Sequence, residues 1–344
     1  MTTTHHTPAA GLLALVLTLL IVAASALVAD SAAISASPID GCTGPYAWPV
    51  RPFGGAHPVR GNFGDPRTVF HGKRSQRTID SGTGVFHFHH GVDISAPDGT
   101  AVFAVNSGVI TRTRGDRVTI DCRNGRAFEY WHITVANIRV GQHAFAGKTL
   151  LGHILPKREH VHLTQLQNGR PVNPLSLGRL TPYRDTSRPS IKAITFRRTD
   201  LGGAVPPTRI AGRVFVYADV TDMPALAVPG RWNGFPVTPA VVTWKLETAK
   251  GRVVLGERVV WDVRRTIPGM PYFWVSFARG SYQNWPVFSD GKARGMTGRY
   301  VFRLGAQPLD VDQLRFGAYK LIVSASDTAG NATTRVQTFL VTDR

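Results

Sequence analysis

Residues 117–133 read RVTIDCRNGRAFEYWHI. Two short strand-like runs, RVTIDC and RAFEYWHI, flank Asn124-Gly125, the two-residue turn chemistry of a hairpin. The same punctuation continues outward on both sides. Gly99-Thr100 precedes AVFAV, Gly108 precedes VITRT, and IRVGQHAFAGKTLLGHI bends at Gly141, Gly147 and Gly152. No 11-residue stretch from Trp48 to about Leu180 keeps a 3.6-residue period, so this half reads as essentially all β.

The stretch TPYRDTSRPS at 181–190 lacks apolar periodicity and marks a boundary. Beyond it come IKAITF, RIAGRVFVYADV, AVVTWKLET, RVVLGERVVW, YFWVSFA, RYVFRL, AYKLIVSAS and TRVQTFLV, the pattern of a β-sandwich, with 280–297 a long loop inside it. The expected fold is therefore all-β: an antiparallel sheet domain at 46–182 and a β-sandwich at 190–344, with 30–45 a linker.

The chain has 344 residues, a formal charge of +18, 12 histidines and 2 cysteines. Two cysteines exclude a Cys₄ zinc ribbon, an iron–sulfur site and a disulfide-dense mini-domain, so any metal must be held by His and carboxylate. All the histidines lie at or before residue 162, whereas positive charge is spread over both halves.

Residues 11–29 form an uncharged run of 19 whose end carries small residues, with Ala24-Ser25-Ala26 as a cleavage candidate and a second near Ala29. It reads as a secretory signal, with a retained membrane anchor as the alternative, because about 20 apolar residues span a bilayer. Both place the rest of the chain outside the cytoplasm, where a Cys42–Cys122 disulfide is expected.

Three segments carry candidate chemistry. In Phe86-His87-Phe88-His89-His90-Gly91-Val92-Asp93, His89 and Asp93 would share a face of a straight strand but stand about 13 Å apart at about 3.3 Å per residue. A bend at Gly91 would let them converge. In His160-Val161-His162 both imidazoles point to one face, which suits one ligand and an adjacent base, or two ligands. The third is Glu129-Tyr130-Trp131-His132, where Tyr130 is expected on the face of His132. Singly each is weak. Together, in one domain, they point to a His₂Asp metal site, which leaves a fourth zinc position for water, as catalytic sites do. His87 reads as a solvated strand residue with His90 on the opposite face; His57, His71, His143 and His153 read as loop or surface residues.

The set HHGVD at 89–93, ISAPDGTAVFAVNSGVI, EYWHI, VGQHAFAGKTLLGHI and HVHLTQLQNGRPVNPL resembles the lysostaphin-type (LytM-like) zinc endopeptidases of peptidoglycan over roughly residues 46–178, including WPVRPF and GNFGDPR near its start. The resemblance implies an antiparallel groove binding one Zn²⁺ through His89, Asp93 and His162, with His132 and His160 as the catalytic histidines. It implies an exported bacterial enzyme cutting peptide stems or cross-bridges; the alternative is a non-catalytic relative that binds wall or activates another hydrolase. Leu155 to Glu159 replace the small-residue turn usual before His-x-His, and Thr164 stands where an acidic residue is common, so groove shape is where this chain departs.

The second half holds five of seven tryptophans, no histidine and no clustered acids, and reads as a wall-binding or spacing module. The segment SASDTAGN at 324–331 resembles the last hairpin of bacterial immunoglobulin-like repeats. For an exported chain the basic charge points to anionic wall polymers as partners, not to nucleic acid.

Overall fold

The strand content follows from the period-two alternation, and it is placed so that polar positions of three strands meet. The structure, a computed structural model, describes residues 42–71 and 76–343; the signal or anchor expected at 1–29 and most of the linker lie outside the described residues. Among the described residues no helix is long and apolar enough to cross a membrane.

The N-terminal half contains β1 (Val59–Gly61), β2 (Pro66–Phe70), helix α1 (Gln76–Ser81), β3 (Gly84–Phe88), β4 (Val92–Ser95), β5 (Ala101–Phe103), β6 (Gly108–Arg114), β7 (Arg117–Asp121), β8 (Arg126–Trp131), β9 (Ile133–Val135), β10 (His143–Ala144), β11 (Leu150–Ile154), β12 (His160–Gln167) and β13 (Arg170–Val172). Its main sheet runs β1-β4-β12-β8-β7-β6-β10, with β13 on β12. All its pairings are antiparallel, and β7–β8 is the expected hairpin, but Cys122 pairs with Arg126, so its loop is the three residues Arg123-Asn124-Gly125 and not a two-residue turn, with Arg123 and Gly125 both at positive φ. One face of the central strands is apolar: Val92, Ile94, Val118, Ile120, Phe128, Tyr130, Val161 and Leu163 are fully buried. Each such side chain contributes about 1.5–3 kcal/mol of transfer free energy, which fixes the register because a one-residue slip would expose all of them. Cys42 and Cys122 form the expected disulfide, Cα atoms 5.8 Å apart, at the end of β7.

The C-terminal half contains β14 (Ser190–Arg197), β15 (Ala204–Val205), β16 (Arg213–Thr221), β17 (Val241–Thr248), β18 (Val253–Asp262), a short helix α2 (Phe273–Ser276), β19 (Val287–Phe288), β20 (Val301–Arg303), β21 (Leu309–Asp310), β22 (Gly317–Ser326) and β23 (Ala332–Val341). They form the antiparallel sheets β15-β14-β16-β20, with β21 on β16, and β18-β17-β22-β23. Phe196 of β14 packs on Phe339 of β23, ring centroids 5.1 Å apart, so the two sheets share a core.

Two expectations for this half fail locally. YFWVSFA is not a strand: Met270–Tyr272 is a 3₁₀ turn leading into α2. Pro271 presets the backbone for a helix start, and Phe273 and Phe277 then meet at i, i+4, 5.4 Å apart. The expected loop 280–297 contributes β19, which pairs in parallel with β2 of the other half.

The halves are joined by more than that strand. Phe88 of β3 packs against Trp261, Phe273 and Phe277 of the C-terminal half at 5.6, 5.1 and 6.0 Å. One apolar cluster runs from Cys42 to Val341, and the described residues fall in one compact unit.

Candidate active site

Register brings the distant residues together. Across β4 and β12, Asp93 stands opposite His162 and Ser95 opposite His160; across β12 and β8, Trp131 stands opposite His162. Opposed residues share a face. Val161 and Leu163 therefore go to the core, while Asp93, His160, His162 and Thr164 line the other side, and all four are buried.

His89 reaches them because β3 ends at Phe88 and β4 begins at Val92. The bend is where the sequence placed it, but Gly91 serves a different purpose. Its φ is not in the left-handed region; a Cβ there would stand 2.3 Å from the Leu163 carbonyl oxygen and 2.9 Å from His162 Nε2. Close approach, not backbone freedom, requires glycine.

Three donor atoms form a small triangle. His89 Nε2 lies 2.8 Å from His162 Nδ1, and Asp93 Oδ1 lies 3.1 Å from each. Two donors about 2.0–2.1 Å from one zinc ion at a tetrahedral angle stand about 3.3 Å apart, so these residues fit a shared ion. The outward nitrogens support this. His89 Nδ1 donates to the Asn62 carbonyl at 2.8 Å and His162 Nε2 to Thr164 Oγ1 at 2.8 Å, a tautomer assignment that turns both remaining lone pairs into the triangle. Burial, then the charge of Arg67, push the His89 imidazole down to about 3, against the pull of Asp93, so it is neutral as a ligand must be. Burial alone would raise the Asp93 carboxyl, but His89, Arg67 and His160 hold it well below the usual carboxylate range. Arg67 Nη2 binds Asp93 Oδ2 at 2.6 Å, and Gly61 leaves room for that pair.

His160 and His132 flank the triangle without joining it. His160 Nε2 lies 3.5 Å from Asp93 Oδ1. Its Nδ1 faces two groups, Arg60 Nη2 at 2.5 Å and the Arg158 carbonyl at 2.6 Å. Arg60 Nη2 also donates to that carbonyl at 2.8 Å. A guanidinium only donates and a carbonyl only accepts, so Nδ1 has a partner in either tautomer: accepting from Arg60, or donating to Arg158. His132 follows β8 with φ of 67°. Regular alternation from Trp131 would send His132 into the core; the left-handed residue turns it back, and its ring lies 4.8 Å from that of His160. Its Nδ1 meets Asp116 Oδ2 at 3.1 Å. Tyr130 is consequently not on this face: it is fully buried, and its hydroxyl accepts from the Val105 amide at 2.8 Å.

The remaining histidines among the described residues stay out of the cluster. His87 and His90 are exposed beside it, ring centroids 6.2 Å apart. His57 meets the Pro52 carbonyl, His143 packs on Phe145, and His71 and His153 are exposed. Sequence reasoning missed Asn62, Arg60, Arg67 and Asp116. Nothing in their local patterns distinguishes them from other polar loop residues; only the fold places them behind the histidines.

The C-terminal half reaches this support layer. Asp65 is buried between the halves and accepts from the Thr238 amide at 2.9 Å and its hydroxyl at 2.7 Å, while Asn62 Nδ2 donates to the Thr238 carbonyl at 3.1 Å. Burial raises the Asp65 carboxyl to about 6 despite Arg67 and these bonds. Arg231 and Trp232 both donate to Glu159, which precedes His160, and the Arg60 guanidinium lies 4.0 Å over the Trp232 ring.

Residues 87–174, which contain the triangle and both flanking histidines, match peptidase family M23. They form an M23 peptidase domain. The M23 family comprises zinc peptidases, and His89, Asp93 and His162 are the candidate metal site of this one. No curated protein matches the chain. Among solved structures, a zinc-containing peptidase from Vibrio cholerae is 21% identical over 34% of this chain and 39% of its own, with a TM-score of 0.24. The prophage-encoded M23 protein EnpA of Enterococcus faecalis is 26% identical over 33% and 90%, TM-score 0.23, and the SpoIIQ–SpoIIIAH pore-forming complex is 16% identical over 38% and 89%, TM-score 0.29. The chain thus spans well under half of the Vibrio chain's length. The M23 match stops before the boundary segment, and Asn62, Arg60 and Arg67 precede it.

Proposed function

We propose that this protein is a zinc metalloendopeptidase that hydrolyses peptide bonds in the stems or cross-bridges of bacterial peptidoglycan. The observation that carries the proposal is the three-donor triangle of His89, Asp93 and His162, flanked by two histidines whose protons are set by different partners. Zinc, when bound there, supplies a Lewis acid for the scissile carbonyl and brings the pKa of a bound water toward about 7. His132 is the base. Asp116 takes its Nδ1–H, leaving the Nε2 lone pair to accept the attacking water's proton, which later passes to the leaving amine. His160 plays the complementary part: in the tautomer whose Nδ1 accepts from Arg60, its Nε2–H donates to the oxyanion that develops on the substrate carbonyl.

The site of action is extracytoplasmic, in keeping with the Cys42–Cys122 disulfide. The excess positive charge serves attraction to anionic wall polymers.

Zymography on peptidoglycan of several cross-bridge types, with a chelator and zinc re-addition, tests the proposal. Clearing that is lost on chelation and restored by zinc is expected, with new amino termini in the released fragments. Stoichiometric zinc without lysis of any wall type would instead assign the chain to the non-catalytic relatives.

A further inference from the structure

A second group of acids lies where the boundary segment meets both halves. Asp185 from that segment, Asp222 just after β16 and Asp327 just after β22 each bring a carboxylate oxygen within 4.8 Å of the others. They are 8%, 2% and 4% exposed. With Asn62, Asn173 and Thr328 they line a cavity of about 10 Å³. That is room for about one water-sized occupant.

Asp185 and Asp327 are held in place by neutral donors. Ser187 N binds Asp185 at 2.9 Å, and Asn331 N and Nδ2 bind Asp327 at 2.8 and 2.6 Å. Asp222 is different. The Met223 amide reaches its Oδ1 at 2.8 Å, but among the described residues no donor reaches its Oδ2, although the residue is 98% buried and faces the cavity. Burial, with Asp185 and Asp327 adding to it, pushes the Asp222 carboxyl up to about 8; the Met223 amide works against this, but no Lys, Arg or His among the described residues does. A buried carboxylate with one oxygen left without a donor is costly. Two remedies exist. Shared protons need carboxyl oxygens in direct contact, at about 2.5–2.7 Å, with no space between them. A hard cation needs a small cavity walled by oxygens: two ligands 2.3–2.6 Å from calcium stand at most about 5 Å apart. The cavity favours the cation, and a set with neither His nor Cys selects an oxygen-seeking ion over zinc.

We propose that Asp185, Asp222 and Asp327 hold a calcium ion that ties the boundary segment to the C-terminal sheets. The site adjoins the active site through Asn62, whose side chain lines the cavity while its carbonyl holds His89.

The test uses the whole chain, stripped of metal and reloaded with zinc. Calorimetric titration with Ca²⁺ should show saturable binding at one site, tighter than about 1 mM, and 1 mM Ca²⁺ should raise Tm by roughly 5 °C. Asp222→Asn should lose both effects and keep its zinc. Wild-type protein with neither heat nor Tm shift overturns the proposal, as does Asp222→Asn binding Ca²⁺ with unchanged affinity. Mg²⁺ binding as tightly as Ca²⁺ overturns the choice of ion. If calcium is without effect and Asp222→Asn is the more stable protein, the carboxyls share protons instead.

Discussion

Thr164→Val is the most direct probe of the metal site, because it changes one hydrogen bond behind a ligand and little else. Thr164 Oγ1 accepts the Nε2 proton of His162 at 2.8 Å, and the two residues are only 2% and 6% exposed. Valine keeps the shape and removes the acceptor. A buried N–H left unpaired costs about 1–3 kcal/mol. The ring can avoid that cost only by turning, or by moving its proton to Nδ1, where it would sit between His89 and Asp93; both destroy the ligand form. At about 1.4 kcal/mol per decade, zinc affinity should fall roughly 5–150-fold, a span that brackets the roughly 10–100-fold typical of lost partners behind a metal ligand. Zinc dissociation constants from competition with a chromogenic chelator measure this, and the Tm of zinc-free protein checks the fold. Thr164→Ser should restore most of the affinity. A Thr164→Val protein that binds zinc as tightly as wild type would refute the assigned tautomer, and with it Nδ1 as the ligand atom of His162.

Asp116→Asn should lower kcat on the order of 10²-fold with zinc content and KM little changed, since it disturbs only the base; equal loss in zinc content would show a structural role instead. His160→Ala should retain zinc and lose hydrolysis, while His162→Ala should lose both, as metal analysis alongside zymography will report. Stability should fall on the acid side: burial puts His89 and His132 at about 3 and 4 in the folded state, below the unfolded value near 6.5, so their contribution is present above about pH 6.5 and is lost as pH drops toward 4. Asp222 acts oppositely. Its folded value of about 8 exceeds the unfolded one near 3.9, so its contribution is full below about pH 4 and is lost as pH rises from there through 8, and in chelator Asp222→Asn should flatten the resulting decline in Tm.

The residues of the three-donor triangle were legible in the sequence because their two strongest signals are local. Period-two alternation puts His160 and His162 on one face whatever the partner strands are, and a glycine between His89 and Asp93 marks a break. Antiparallel register then does the rest, with Asp93 opposite His162. The position of His132 was found, but not the face of its strand neighbour. Alternation assigned Tyr130 and His132 to one side, and a single left-handed residue, invisible in the pattern of a non-glycine, reversed that. YFWVSFA was misread for a related reason: a short apolar run fits a buried strand or a helical turn equally, and Pro271 was the sign that should have decided it. The groups behind the histidines were beyond reach, because Asn62, Arg67, Asp116 and Thr164 act through contacts 16 to 27 residues away or two residues along a strand, and such distances are set by topology.

Thr164 shows what a departure from family pattern means here. An acidic residue at that position could accept the His162 proton as a carboxylate; the hydroxyl accepts it as a neutral group, and a hydrogen bond to a neutral acceptor is roughly half as strong as one to a charged acceptor. The ligand is thereby less basic. The other ligand histidine leans on a backbone carbonyl, again neutral. Charge at the triangle therefore comes from Asp93 alone, and Arg67 neutralises part of it at 2.6 Å. A site built this way holds its ion through geometry more than through charge, and geometry must be supplied from outside the sheet. It comes from the loop carrying Asn62, Asp65 and Arg67, which is fastened to Thr238 of the C-terminal half by bonds to both Asn62 and Asp65. The second half is therefore placed to act on the candidate metal site, as the frame that keeps one ligand histidine and the Arg67 guanidinium paired with Asp93 in register.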